Sequence, residues 1–356
     1  MAAECHVTEA AGRARVGAPV LSVCIPTYNF GRFIEETLLS ILTQTPPSVE
    51  VVVLDSASDD DTAAVVAGLL STYPTLRYVR AEQRMGIDRD MARVVDLARG
   101  AYCWLFSADD VMTKGAIARV LAEIATEDDL YLCMHSNHAL SMEMTDASHP
   151  VLRSAAAARF DLSDPVVQLA YFRLAESTEA LFSFMGSLIV RREKWQSVAL
   201  NEHFVGSCWA HVARIFELMP RGLSVNYLAA VLLGRRGDND SFADKGVIRR
   251  YALAIDGYRR LASHFWGDRS EQAFHIQRVL RSEFPLRVLL SAKALCRDSH
   301  GAEDIELLDG LVNSLYVGAG LSGAAQRLAY RAFPVVLHRP IRALYRVTRI
   351  GRRPFN

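Results

Sequence analysis

No run of about 18 apolar residues occurs in the sequence, so it offers no candidate membrane-spanning helix. The first 19 residues are Ala-rich, carry acids at Glu4 and Glu9 and contain no hydrophobic segment of the kind a secretory signal needs. They read as a disordered leader. Cysteine is scarce and scattered: Cys5, Cys24, Cys103, Cys133, Cys208 and Cys296 make no C-x-x-C pair and no zinc spacing. That excludes a zinc ribbon and fits a reducing cytoplasm. An excess of charge is missing as well, because 40 Lys and Arg face 40 Asp and Glu. The whole molecule is therefore no basic nucleic-acid binder. Glycine fingerprints are absent too: no G-x-G-x-x-G follows the first apolar run, and no G-x-x-x-x-G-K-[ST] occurs anywhere. A phosphate-bearing ligand would need a carboxylate-held metal in place of a glycine nest. There is no internal repeat.

What is present is a core-forming chain. At 356 residues, with 51% hydrophobic and 22% charged, it can bury one large α/β core and a smaller accessory region. Residues 20–26, 49–54 and 76–79 are short apolar runs that read as strands. Between them lie a helix carrying Phe33, Ile34, Leu38, Ile41 and Leu42, and another announced by the acids Asp59, Asp60 and Asp61. A third helix runs through Val94, Val95 and Leu97, with Asp88 as its expected N-cap. Strand and helix alternating in this way predict a doubly wound, mostly parallel sheet with helices on both faces.

The stretch 101–110, AYCWLFSADD, organises the rest. Its apolar run predicts a buried strand, and the carboxyl end of such a strand is where an open α/β sheet binds its ligand. Asp109 and Asp110 stand there as adjacent anions, a costly arrangement unless a cation shares them. Hard carboxylate oxygens suit Mg2+ or Mn2+. The alternative is that Asp110 caps a helix starting near Thr113 and Asp109 is solvated.

Past residue 124 we expect a strand at 129–135, a loop at 142–159, a helix at 161–174 capped by Asp161 or Ser163, and a strand at 184–190. A helix over 209–219, a strand over 225–233 and a glycine-punctuated loop over 234–242 follow. Arg235 and Arg236 in that loop could close over a diphosphate, with Ser241 bonding the same phosphates. They could equally be a solvated basic turn. From residue 245 the pattern is helical, with Pro285 as an expected kink. After Asp309 the acids disappear, and Arg327, Arg331 and six later arginines interleave with apolar residues. Such a tail can lie on an anionic membrane; a dimer contact or a packed helix are the other readings. The expected domains are a leader at 1–19, a catalytic domain at 20–243 split near residue 124, a helical region at 244–320 and the basic tail at 321–356.

Taken in order, the segments 20–29 (VLSVCIPTYN), 51–62 (VVVLDSASDDDT), 86–90 and 104–110 resemble the family 2 glycosyltransferases of the GT-A fold across about residues 21–121. The wording at 86–110, 183–192 (SFMGSLIVRR) and 237–242 (GDNDSF) resembles, more narrowly, the abequosyltransferase-type enzymes of O-antigen assembly. The resemblance implies an inverting transferase that moves a sugar, such as a deoxyhexose, from a nucleotide-sugar donor to a glycan or lipid-linked saccharide. It further implies Mn2+ or Mg2+ as cofactor and a cytoplasmic protein, peripheral on the membrane's inner face. Pro26, Tyr28, Asn29 and Asp55 would line the nucleotide pocket, with Asp88 and Arg89 toward the diphosphate. Ser107, Ala108 and Asp109 correspond to the family's D-x-D element, Asp109 being the metal ligand and Asp110 its helper. Ser107 stands where the first Asp is usual and brings no charge. Gly186 and Ser187 would leave room for the acceptor. The family's catalytic Asp before the helix at 209 is missing, which leaves His211, Glu202 and Asp238 as candidate bases, His211 first. The competing functions are a non-catalytic sugar-nucleotide or glycan-binding protein, a glycosyltransferase acting on small molecules and, as a poorer match, a nucleotidyltransferase.

Overall fold

The computed structural model of the chain describes residues 6–9, 17–154, 156–239, 246–299 and 302–334. Two compact units result, residues 1–240 and 241–356. The first contains the strands β1 (His6–Glu9), β2 (Leu21–Thr27), β3 (Val49–Asp55), β4 (Leu76–Arg80), β5 (Tyr102–Leu105) and β6 (Val111–Met112). It continues with β7 (Leu130–His138), β8 (Met144–Asp146), β9 (Ala158–Asp161), β10 (Leu188–Arg191) and β11 (Ser224–Arg236). Its helices are α1 (Gly31–Leu42), α2 (Thr62–Leu70), α3 (Ile87–Leu97), α4 (Ala116–Glu123), α5 (Pro165–Leu174), α6 (Arg192–Gln196) and α7 (Ala210–Leu218).

These strands form one sheet in the order β1-β4-β3-β2-β5-β10-β7-β11-β6, with β8 on β7 and β9 on β11. The first half, β4-β3-β2-β5, is parallel. β10 then runs antiparallel between β5 and β7, so the whole sheet is mixed. Every residue of β2 and β3 is buried, as runs covered on both faces must be. On one face Val23, Ile25, Val51 and Val53 meet Ile34 and Leu38 of α1 and Val66 of α2. On the other, α3 packs against β2 and β3 through buried Met91, Val94 and Val95.

The chain passes outward from β2 to β3 and β4, then returns to the other side of β2 as β5. The strand ends where that direction reverses are the place at which an open α/β sheet binds its ligand. Pro26 fits beside them. Cys24 bonds toward β5, where Phe106 N–H donates to its carbonyl at 2.9 Å. Pro26, two residues on, turns its missing donor to the same side, where the β2–β5 pairing has already ended at Leu105. Gly31 opens α1 against the acidic turn, and any side chain there would collide with Asp61, whose Oδ1 lies 1.7 Å from the Cβ position.

Several expectations change. Within the supposed leader, residues 6–9 form a strand on the edge strand β4; residues 1–5 and 10–16 lie outside the described residues. The 142–159 loop contains β8 and leads into β9. Asp164, not Asp161 or Ser163, caps α5, accepting from Val166 N at 2.7 Å, while Asp161 closes its own turn with Ser163. α3 is preceded by Gly86 and has no side-chain cap, so Asp88 does not cap it. α4 starts at Ala116 after Gly115, too far along for Asp110 to cap.

The second unit is helical: α8 (Val247–Trp266), α9 (Glu271–Glu283), α10 (Leu286–Ser299), α11 (Ala302–Tyr316) and α12 (Gly320–Ala332). Pro285 separates α9 from α10 and does more than kink one helix, since proline cannot continue the backbone bonding. Ile255, Tyr258, Ile276, Leu280, Leu308 and Leu315 form its core. The opening of the supposed tail is α12, packed on α10 and α11 with Tyr330 and Gly323 inward. Ser241, residue 243 at the expected domain boundary and the tail from residue 335 onward lie outside the described residues.

Candidate active site at the acidic end of the sheet

β5 delivers Ser107, Asp109 and Asp110 to these strand ends. The Ser107 hydroxyl donates to Asp109 Oδ1, and Asn239 Nδ2 donates to Oδ2 at 2.9 Å. Ala108 is buried, its carbonyl accepting from Thr37 Oγ1 at 3.0 Å. Asp110 Oδ1 accepts the Arg236 N–H at 2.8 Å, whereas buried Oδ2 has no donor among the described residues. Burial, and then the Asp109 charge, push the Asp110 carboxyl well above its ordinary range. A buried carboxylate oxygen lacking a partner beside a second carboxylate is a donor set that fits a hard divalent cation.

Arg236 does not close over a ligand as the sequence suggested. Its guanidinium is buried and bonds the Asp109 carbonyl at 2.8 Å, the Leu140 carbonyl at 2.6 Å and Glu36 at 2.5 Å, while stacking on Phe33. It is a clamp beneath the carboxylates, held there because β11 runs on to residue 236 where a loop was expected. Arg235, half-buried, lies over the Phe184 ring.

The residues expected to line a nucleotide pocket gather at the ends of β2 and β3. Tyr28 carries the exposed Arg84 over its ring at 4.0 Å, so that face is covered by a cation that any stacking base must displace. Asn29 takes a left-handed φ of 59° and exchanges bonds with Asp59. Asp55 is fully buried: Ser58 N–H donates to Oδ1 at 2.8 Å, and Tyr78 OH and Arg80 Nη1 donate to Oδ2 at 2.5 and 2.7 Å. Both of its oxygens are thus engaged within the protein, and its plainest effect is to shape the turn. Asp90, unremarked in the sequence, is buried beside Ser56; desolvation pushes its carboxyl up to about 6.

From α3, Asp88 reaches across to the loop ahead of α7. Its carboxylate accepts N–H bonds from Gly206, Cys208 and Ala210 at 2.8, 3.0 and 3.0 Å. Held by these donors, it caps α7 from another helix. Arg89 and Glu202, expected in separate roles, pair with each other through two bonds of 3.0 and 2.6 Å. His211 is buried; its Nε2 meets the Phe182 carbonyl at 3.1 Å, and desolvation lowers its pKa. Asp238 is exposed, two residues beyond β11. Gly186 and Ser187 sit on a buried 3-10 turn. A Cβ at Gly186 would meet Leu233 and Phe184 within 3 Å, so the glycine leaves room for those two side chains.

Residues 22–153 match the family described as Glycosyl transferase family 2. The chain carries a family 2 glycosyltransferase domain. The chain is 28% identical to abequosyltransferase RfbV of Salmonella typhimurium (strain LT2), over 80% of this chain and 87% of that one. In fold it is similar to S. aureus TarS 1-349 in complex with UDP-GlcNAc, with a TM-score of 0.59 and 16% identity over 93% of each chain. It is also similar to mannosyltransferase PcManGT from Pyrobaculum calidifontis in complex with GDP-Man and Mn2+, with a TM-score of 0.51 and 18% identity over 95% of this chain and 86% of that one.

One group in the first unit escaped the sequence reading. His135, His149 and Glu179 bring ligand-type atoms within 4.8 Å of one another. They come from β7, the segment after β8 and a 3-10 turn at Thr178–Leu181. Their separations in sequence follow no motif, so only folding assembles them. Glu36 and Asn239, which fix Arg236 and Asp109, left no signal either.

Proposed function

We propose that this chain is an inverting, metal-dependent glycosyltransferase that moves a sugar, such as a deoxyhexose, from a nucleotide-sugar donor to a glycan or lipid-linked saccharide in surface polysaccharide assembly. The observation that carries the reading is the carboxylate pair Asp109–Asp110 at the strand ends, with a buried oxygen lacking a partner. Similarity to an abequosyltransferase over most of the chain supports the sugar class. Asp109 and Asp110 would hold Mn2+ or Mg2+, which supplies charge neutralisation for a departing diphosphate. Ser107 and Asn239 fix the Asp109 carboxylate, and the Arg236 clamp holds the backbone on which it stands. Tyr28 and the turn stiffened by Asp55 line the side where the nucleotide base is expected. Incubation with Mn2+ or Mg2+ and a panel of nucleotide sugars should release nucleoside diphosphate. Asp109→Ala should lower that release by roughly 100-fold or more, the scale of losing a main electrostatic group. Unchanged turnover would remove the metal assignment.

The same reading sets the protein against an anionic membrane. No helix among the described residues is long and apolar enough to cross one. α12 instead exposes Leu321 at 92% and Leu328 at 68%, beside Arg327 and Arg331. A basic face with apolar anchors suits a lipid surface, where a lipid-linked acceptor would reside.

A further inference from the structure

The His135, His149 and Glu179 cluster has its own internal logic. His135 is fully buried, edge-on to Phe184 at 4.7 Å and stacked on His149 at 4.9 Å with ring planes 10° apart. Glu179 spans the pair, with Oε2 3.0 Å from His149 Nε2 and Oε1 3.6 Å from His135 Nε2. A carboxylate has two oxygens and can serve two stacked rings at once. A single metal ion cannot: the nitrogen lone pairs of stacked imidazoles lie in nearly parallel planes, and one ring must turn before they converge. Burial alone would raise the Glu179 carboxyl, but the two imidazoles facing it hold it well below its ordinary range. Glu179 is therefore an anion that takes the His149 Nε2–H, and in the neutral ring this makes Nδ1 the accepting nitrogen. Nδ1 faces Asn137 Nδ2 at 3.5 Å, the outer edge of hydrogen bonding.

The cluster also lies on the way to the acidic edge. Asn137 pairs with Arg235 across β7 and β11, and the next residue, Arg236, donates its N–H to Asp110. Two strand spacings, roughly 10 Å, thus separate the Asn137 backbone from that of Asp110, and His149 flanks β7 on its other side, its N–H donating to the His135 carbonyl at 2.8 Å. Of the three side chains His149 is the most open, at 20% exposure against 11% for Glu179 and 0% for His135. The titratable groups facing it include His135 and Glu179, with Arg235 beyond Phe184. The earlier candidate His211 has Nε2 engaged by a carbonyl and Nδ1 sealed from solvent.

We propose that His149 is the general base of the transfer, held in its tautomer by Glu179 and in its plane by His135; the proposal rests on the glycosyl-transfer reading above. The acceptor hydroxyl proton passes to His149 Nδ1 as that oxygen bonds the anomeric carbon. The bond from that carbon to the diphosphate oxygen breaks, and its electron pair leaves with the nucleoside diphosphate. Glu179 then faces an imidazolium, as the orienting carboxylate does in hydrolase triads.

The full chain with His149→Ala should keep its donor affinity and lose roughly 100-fold or more in kcat, the usual range for a general base. Added imidazole should restore at least a tenth of the wild-type rate, a rescue that lost packing would not show. His149→Gln, closer in shape, should show the same loss with donor affinity retained, which separates the role from misfolding. Glu179→Gln should lower kcat with little change in acceptor KM, since it positions the base without touching substrate. A His149→Ala rate within about threefold of wild type, short of the least a general base contributes, overturns the proposal. So does a loss that imidazole leaves unrepaired, or about one equivalent of zinc per chain that disappears in His149→Ala, which would make the cluster a metal site. Wild-type protein that turns over no donor overturns the transfer reading and the base with it.

Discussion

Asp90 illustrates how a single carboxyl can work against its own fold. Its native pKa of about 6 lies above the roughly 3.9 of an unfolded chain, so folding favours the protonated form. The benefit is complete below pH 4 and is lost as pH rises through 6. At neutral pH the ionised, buried group costs about 3 kcal/mol. Asp90→Asn should therefore raise the unfolding temperature at pH 7.5, and the gain should shrink toward zero as the pH is lowered to about 4, where both side chains are neutral. A gain independent of pH would show that Asp90 is not the titrating group. At this scale the sequence was informative only where chemistry is local. Ser107, Asp109 and Asp110 follow one apolar run and could be read directly. Asp88 could not: its acidic side chain looks like a cap for α3, yet its three donors lie 118 to 122 residues downstream. Glu179 and its two histidines were invisible for the same reason.

Among the elements, β2 and β3 were legible because β-branched runs bounded by Pro26 and Asp55 admit few alternatives. β11 was read three residues short, since the arginines at its end look like loop until Asp110 and Glu36 are seen to bind Arg236. β1 is four residues long and edge-paired, too short for periodicity to detect. α12 is the element whose outer face invites a test. Tyr330 and Gly323 turn inward while Leu321 and Leu328, two turns apart, stand nearly bare. Replacing both leucines with glutamate should lower binding to anionic liposomes by at least tenfold in a sedimentation assay, given about 0.8 kcal/mol per buried methylene and the added repulsion. Donor binding should be unaffected. Equal sedimentation of the two proteins would exclude this face.

Over the whole molecule, the formal net charge of zero conceals an imbalance. All 40 acids precede residue 310, whereas eight of the 40 basic residues follow it with no acid among them. The long first part is thus acidic, and an anionic bilayer repels it while attracting the C-terminal end, by about 1 kcal/mol per arginine near the surface. Liposome binding should fall steeply between 0.1 and 1 M salt, as the screening length drops from about 10 to 3 Å. Truncation after Gly323 should abolish the salt-sensitive part and leave donor binding intact.

The three amides gripped by Asp88 set a limit on how such enzymes can be recombined. A chimera that exchanged the second half of this chain for that of a homologue would receive a foreign segment ahead of α7, and nothing in that segment guarantees backbone donors at the right offsets. The new half would then begin with a loose end, whatever the quality of its own fold. Grafting works only if the aspartate and the segment it grips travel as one cassette, although more than a hundred codons separate them.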